Sequence, residues 1–359
     1  MSKSLLIKQL GTWILISFAT LAYLEVGLRL IGRAALPLLR TDPEVGSIHV
    51  KEFQGNVWDE RSQQSHYIKT NNLGYIGDRN ISPIVATGTT RIAILGDSLV
   101  EAQQVDFYHN FSHLLQTALN ISRTCSQTFE VLNFGVGGTG TFSQYQTFKY
   151  KIASLHPDLT LLVFHDDYLD NLQKSGFNLE NYAQERTSVG LKAFLLQFQL
   201  PKFVFSKVQS STTVIYLLRM LGFYESSGIV GGASNNPSTE PSFLGYTFDL
   251  LKKMDALVRA SGSKLIVVVY SDEKHSAYID AWKQDSQMAA LTEFLTREQI
   301  TFVNPANDLA KAKVNISGCL TYDCEDHFNQ QGHEIMARFL YQTVKTHLGI
   351  NNRCQTPSL

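Results

Sequence analysis

The sequence predicts an α/β fold built on a parallel sheet of about five strands, with helices on both faces. Three observations carry that expectation. Short β-branched runs end in glycine or polar residues, apolar residues recur at helical spacing between them, and the two patterns alternate along the chain.

The first run, 91–95 (RIAIL), stops at Gly96 and is followed by helical spacing over 107–119. Strands follow at 130–134 and 159–164, with a helix at 143–153 between them. A helix at 248–260, a strand at 264–270 (KLIVVVY), a helix at 278–295, a strand at 301–303 and a closing helix at 332–348 complete the series. Apolar strands joined by helical crossovers fit a parallel sheet buried on both sides, and such sheets hold ligands at the carboxyl ends of their strands. Two stretches break the rhythm. Residues 36–90 are rich in turn formers (Pro37, Pro43, Gly46, Gly55, Gly74, Gly77) and read as an irregular lead-in. Residues 172–245 are too long for an ordinary connection and read either as extra core helices with a surface loop or as a cap. The main domain is therefore expected over 91–350, with 172–245 as an insertion.

Residues 1–35 read as a transmembrane anchor. No charge falls between Lys8 and Glu25, and segment 5–31 is long enough, at about 1.5 Å per helical residue, to cross a hydrocarbon layer of about 30 Å. No small-x-small cleavage site clearly follows it. Lys3 and Lys8 on one side balance Arg29, Arg33 and Arg40 on the other, which leaves the orientation open. The expectation is a single-pass membrane-anchored protein with its main domain outside the cytoplasm. The 359 residues hold 31 Lys plus Arg against 32 Asp plus Glu, a net charge of −1, so nothing in the charge calls for a nucleic-acid partner. Cys319 and Cys324 fit a disulfide or two free thiols equally well.

The candidate chemistry sits at the strand ends. Ser98 falls on the first turn after strand 91–95, in Gly96-Asp97-Ser98, which presents its hydroxyl at the sheet's carboxyl edge. A serine needs a base, an orienting acid and donors for an oxyanion. His327, preceded by Asp323, Glu325 and Asp326, offers base and orienter together. The second strand runs into Asn133 and the glycine-rich NFGVGGTG, where backbone N–H groups can approach a ligand closely. The third strand ends in a polar cluster, His165, Asp166, Asp167, Asp170 and Asn171. His165, Asp166, Asp167 and His327 are also metal-ligand types, but a metal reading leaves Ser98 without a role; the serine reading needs no metal and no cofactor.

In order and content these four blocks resemble the SGNH/GDSL hydrolases, a family of esterases, lipases and carbohydrate deacetylases with a flavodoxin-like three-layer α/β sandwich. The resemblance implies Ser98 as nucleophile, the Ser98 and Gly138 backbone N–H groups as oxyanion donors, and His327 as base. The family's acid lies two or three residues before its histidine. Cys324 occupies the position three before, so Glu325 is the first choice, with Asp323 and Asp326 as substitutes. Where the family has Gly-Asn-Asp, this chain has His165-Asp166-Asp167. Asp166 would have to stay protonated to donate to the oxyanion, with Asn171 reaching in beside it. Asp97, Asn133 and Asp167 are expected in supporting places. The lead-in HYIKTNNLGYIGD and the Glu25–Arg29 pair resemble anchored members of the family. The implied function is hydrolysis of an ester on an acetylated glycan or lipid-like substrate through acyl-Ser98. The alternatives are an acyltransferase using the same site and a catalytically silent envelope protein that binds acylated glycans or lipids.

Overall fold

The computed structural model describes residues 3–30, 38–59, 61–121, 127–165, 240–270, 286–313, 318–322 and 327–350. A helix, α1 (Lys3–Leu30), is followed by two antiparallel hairpins, β1 (Leu39–Asp42) with β2 (Gly46–His49), and β3 (Gln54–Asp59) with β4 (Gln64–Lys69). The central sheet comes next: β5 (Thr89–Gly96), β6 (Thr128–Gly135), β7 (Leu159–His165), β8 (Lys264–Tyr270) and the two-residue edge strand β9 (Phe302–Val303). All are parallel, in the order β6-β5-β7-β8-β9. Helices α2 (Ser98–Glu101), α3 (Phe111–Ile121), α4 (Thr141–Thr147), α5 (Glu240–Ala260), α6 (Ser286–Arg297), α7 (Ala306–Lys313) and α8 (Gln330–Leu348) accompany it.

Strand alternation divides the interior into two cores. Ala93 and Leu95 of β5, Leu132 and Phe134 of β6, and Leu162 and Phe164 of β7 face one side, where α5 and α6 supply Leu251, Met254, Leu291 and Phe294. Ile92 and Ile94 of β5, with Leu161 and Val163 of β7, face the other. There Phe111 and Leu115 of α3 and Met336, Leu340 and Val344 of α8 cover them. A sheet buried on both faces must be apolar at nearly every position, which is why its strands read as unbroken apolar runs. The five-stranded parallel sheet between helices is the arrangement the sequence predicts. The helix at 306–313 was not predicted, although its start is marked by Asn304, whose side chain accepts from Ala306 N at 2.8 Å.

The lead-in is more ordered than its turn formers suggest. Both hairpins lie in it, and many of its apolar residues are buried: Val45, Ile48, Tyr75 and Ile81 join the first core, while Leu38, Val57, Ile68 and Ile76 pack with Phe107. Each strand carries too few apolar residues for alternation to show.

Helix α1 forms where the anchor was predicted, and the side chains described along it, Trp13, Ile14, Leu15, Phe18 and Tyr23 among them, are exposed. No helix of the described residues is long and apolar enough to cross a membrane. The uncharged run, 9–24, covers only about 24 Å at 1.5 Å per residue. Thr12, Ser17 and Thr20 dilute it, and Glu25 and Arg29 lie within the helix. Most of the insertion, 172–239, and the cap reading placed on it lie outside the described residues; 240–245 form the start of α5.

Candidate active site

The nucleophile turn is set by Asp97. It leaves β5 and caps α2, its Oδ1 accepting from Leu99 N at 2.8 Å, and its Oδ2 lies 3.6 Å from His165 Nδ1 at the end of β7. Ser98 thereby occupies the first position of a one-turn helix, half-buried at the carboxyl edge. The helix ends at once on Ala102, in the left-handed region at φ 56°, and its last carbonyls are claimed by two buried asparagines. Asn133 Nδ2 donates to Val100 O at 2.6 Å. Asn110 Nδ2 donates to Val100 O and Glu101 O at 3.3 and 3.2 Å. Asn133 also accepts from Gly135 N at 2.8 Å, so one side chain joins the nucleophile helix to the glycine turn.

The glycine turn packs on the same helix. A Cβ added to Gly137 would lie 3.6 Å from Ser98 Cβ, which places the turn beside the hydroxyl. Gly138 follows at φ +71°, a backbone state open to glycine, with no atom within 4 Å of where its side chain would begin. Among the described residues, neither the Ser98 nor the Gly138 backbone N–H donates to another backbone group.

His327 arrives from the far end of the chain. The segments 318–322 and 327–329 meet in an antiparallel bridge, Thr321 opposite Phe328, with Tyr322 N donating to His327 O at 2.9 Å. Asn329 then caps α8, accepting from Gly332 N at 3.1 Å and donating to Cys319 O at 2.7 Å. Gly332 is required by contact, since a Cβ there would meet Leu320 O at 2.3 Å. The Tyr322 hydroxyl donates to Gln104 O at 2.9 Å and ties this loop to the segment after the nucleophile. The result is a hydrogen bond of 2.7 Å between His327 Nε2 and Ser98 Oγ. The imidazole is 4% exposed.

Asp323, Glu325 and Asp326 lie outside the described residues, as do Asp166, Asp167 and Asn171. His165 is described, its ring 5.4 Å from that of Tyr270. Cys319 is disulfide-bonded; Cys324 lies outside the described residues. Residues the sequence did not reveal include Asn110, Glu101, His49 and Tyr322, each brought in by long-range packing.

His333 completes the floor. It is fully buried against Phe111 and Phe328, and its Nδ1 accepts from Phe111 N at 3.3 Å, which puts the ring proton on Nε2. Burial pushes its pKa down from 6.5 to about 3, with the nearby His327 adding in the same direction. The unfolded chain binds this proton below about pH 6.5, whereas the folded one does not until about pH 3. The contribution is therefore fully present above 6.5 and is lost as pH falls between those values, by about 1.4 kcal/mol per unit. Urea unfolding across this window should show that slope reduced by one proton in His333→Gln.

No family model matches the sequence, and no curated protein matches it. Solved structures that it resembles include three hydrolases. One is the psychrotrophic esterase EstA from a Pseudoalteromonas species (12% identical, TM-score 0.41, covering 72% of this chain and 99% of that one). Another is the acetyl xylan esterase AlAXEase (13%, 0.41, 71% and 99%), and a third is a GDSL-like lipase from Bacteroides thetaiotaomicron (12%, 0.37, 74% and 93%). Overlaps at this level leave the assignment of a reaction to the site's own geometry.

Proposed function

We propose that the chain is a serine esterase of the SGNH/GDSL kind, hydrolysing an acyl ester of a glycan or lipid-like alcohol through acyl-Ser98. The observation that carries this reading is the 2.7 Å bond between Ser98 Oγ and His327 Nε2, formed across a separation of 229 residues at the rim of a parallel sheet. His327 takes the hydroxyl proton as Oγ attacks the ester carbonyl, and the tetrahedral oxyanion is received by the Ser98 and Gly138 N–H groups. Collapse expels the alcohol, which leaves with the proton from His327. Water then repeats the sequence, releasing the acid and restoring the serine. Glu325 is the proposed orienter of the imidazole, with Asp323 as substitute, and a protonated Asp166 the proposed third donor. The test is hydrolysis of p-nitrophenyl esters of increasing chain length by the full chain. Turnover no faster than that of the Ser98→Ala protein over about pH 5 to 9 would end this reading.

The proposed location is outside the cytoplasm and at a membrane. The disulfide at Cys319 fits an oxidising compartment, and the exposed apolar residues of α1 offer a surface that water does not favour. The full chain should sediment with phosphatidylcholine–phosphatidylglycerol vesicles. Leu15→Lys with Phe18→Lys should leave it in the supernatant, since each change puts a charge on the apolar surface that would meet the lipid. Equal sedimentation of both proteins would exclude α1 as the contact.

A further inference from the structure

Beneath the glycine turn lies a buried carboxylate that the reaction above does not use. Glu101, the last residue of α2, is 4% exposed. Its Oε1 accepts from Gln103 Nε2 at 2.7 Å and lies 2.5 Å from Nε2 of His49, which is wholly buried in the lead-in hairpin. The other ring nitrogen of His49 faces Gly74 O at 3.1 Å, and the same carbonyl accepts from His49 N at 2.9 Å. Each ring nitrogen of His49 thus faces an oxygen, one of them the Glu101 carboxylate. Glu101 Oε2 points the other way. It lies 2.6 Å from the place a Cβ on Gly137 would take, and that same point is 3.6 Å from Ser98 Cβ. The carboxylate thus fills the space against which the turn before Gly138 rests.

Resting on the serine-esterase reading, we propose that Glu101 is a positioning residue for the oxyanion turn, braced by His49 against the Gly74 loop. It touches no reacting atom. It holds the Gly137–Gly138 backbone at a fixed height beside Ser98, and the lead-in becomes part of the catalytic architecture through it. Misplacement of a donor acts on the transition state more than on ground-state binding.

The test uses the full chain with p-nitrophenyl acetate, together with amide hydrogen exchange. Glu101→Gln, which keeps the volume, should lower kcat by about 10-fold with KM within about twofold, as expected for a donor displaced rather than removed. Amides of Gly137 and Gly138 should exchange about 10-fold faster, while those of β8 keep their rates. His49→Gln should act in the same direction, and the double variant should lose no more than the worse single one, because the two act through one contact. Parent-like kcat and exchange in both single variants, or losses that multiply in the double one, would overturn the proposal. Hydrolysis by Ser98→Ala at the parent rate would sink the esterase reading instead, and the exchange measurement would still judge Glu101.

Discussion

Ser98→Ala should lower kcat/KM for p-nitrophenyl acetate by about 10⁴-fold or more, and His327→Ala by a similar factor. Removing the hydroxyl removes the covalent route. Removing the imidazole leaves a hydroxyl that, at its ordinary pKa, is too poor a nucleophile to attack. The two losses should not multiply: the double variant should be no slower than the worse single one within about threefold, because either change alone disables the same proton transfer. Neither variant should unfold. Ser98 is half-buried and its hydroxyl bonds to His327, so the deletion costs about 1 kcal/mol of hydrogen bonding at most. Circular dichroism and urea unfolding provide that control.

Gly135→Ala should have the largest effect on the fold. A Cβ there would lie 2.2 Å from Glu101 N, 2.5 Å from the Val100 carbonyl carbon and 2.7 Å from Val100 Cβ. Two of these are backbone atoms of α2, fixed from behind by Asn110 and Asn133, so no side-chain rotation relieves the overlap. Either β6 or the nucleophile helix must shift. Overpacking of a fixed core costs about 1 to 3 kcal/mol, and a backbone collision belongs at the upper end or beyond. Urea unfolding should show a loss of about 3 kcal/mol or more, and any folded fraction should be slow in catalysis because the shift is taken up beside Ser98. The same change at Gly138 meets open space and tests only the left-handed backbone, so it should cost less.

The parts of this fold that were legible in the sequence are those whose physics is local. Strands such as KLIVVVY announce themselves because burial on both faces demands apolar residues at every position, and Ser98 and the glycine turn could be found because each directly follows such a strand. His327 was legible by the carboxylates gathered before it, Asp323, Glu325 and Asp326, and by the helical spacing that follows it. The lead-in hairpins were hidden, since QGNVWD and QSHYIK each bury little more than one apolar side chain. The Glu101–His49 pair was hidden for another reason. Its partners stand 52 residues apart, and nothing near either one signals the other.

Covalent labelling of the full chain with a fluorophosphonate, mapped by mass spectrometry, tests the central claim most directly. If His327 activates Ser98, a single adduct forms on Ser98, and His327→Ala slows its formation by about 10³-fold or more. An adduct on another residue, no adduct on Ser98, or equal labelling without the imidazole would contradict the account.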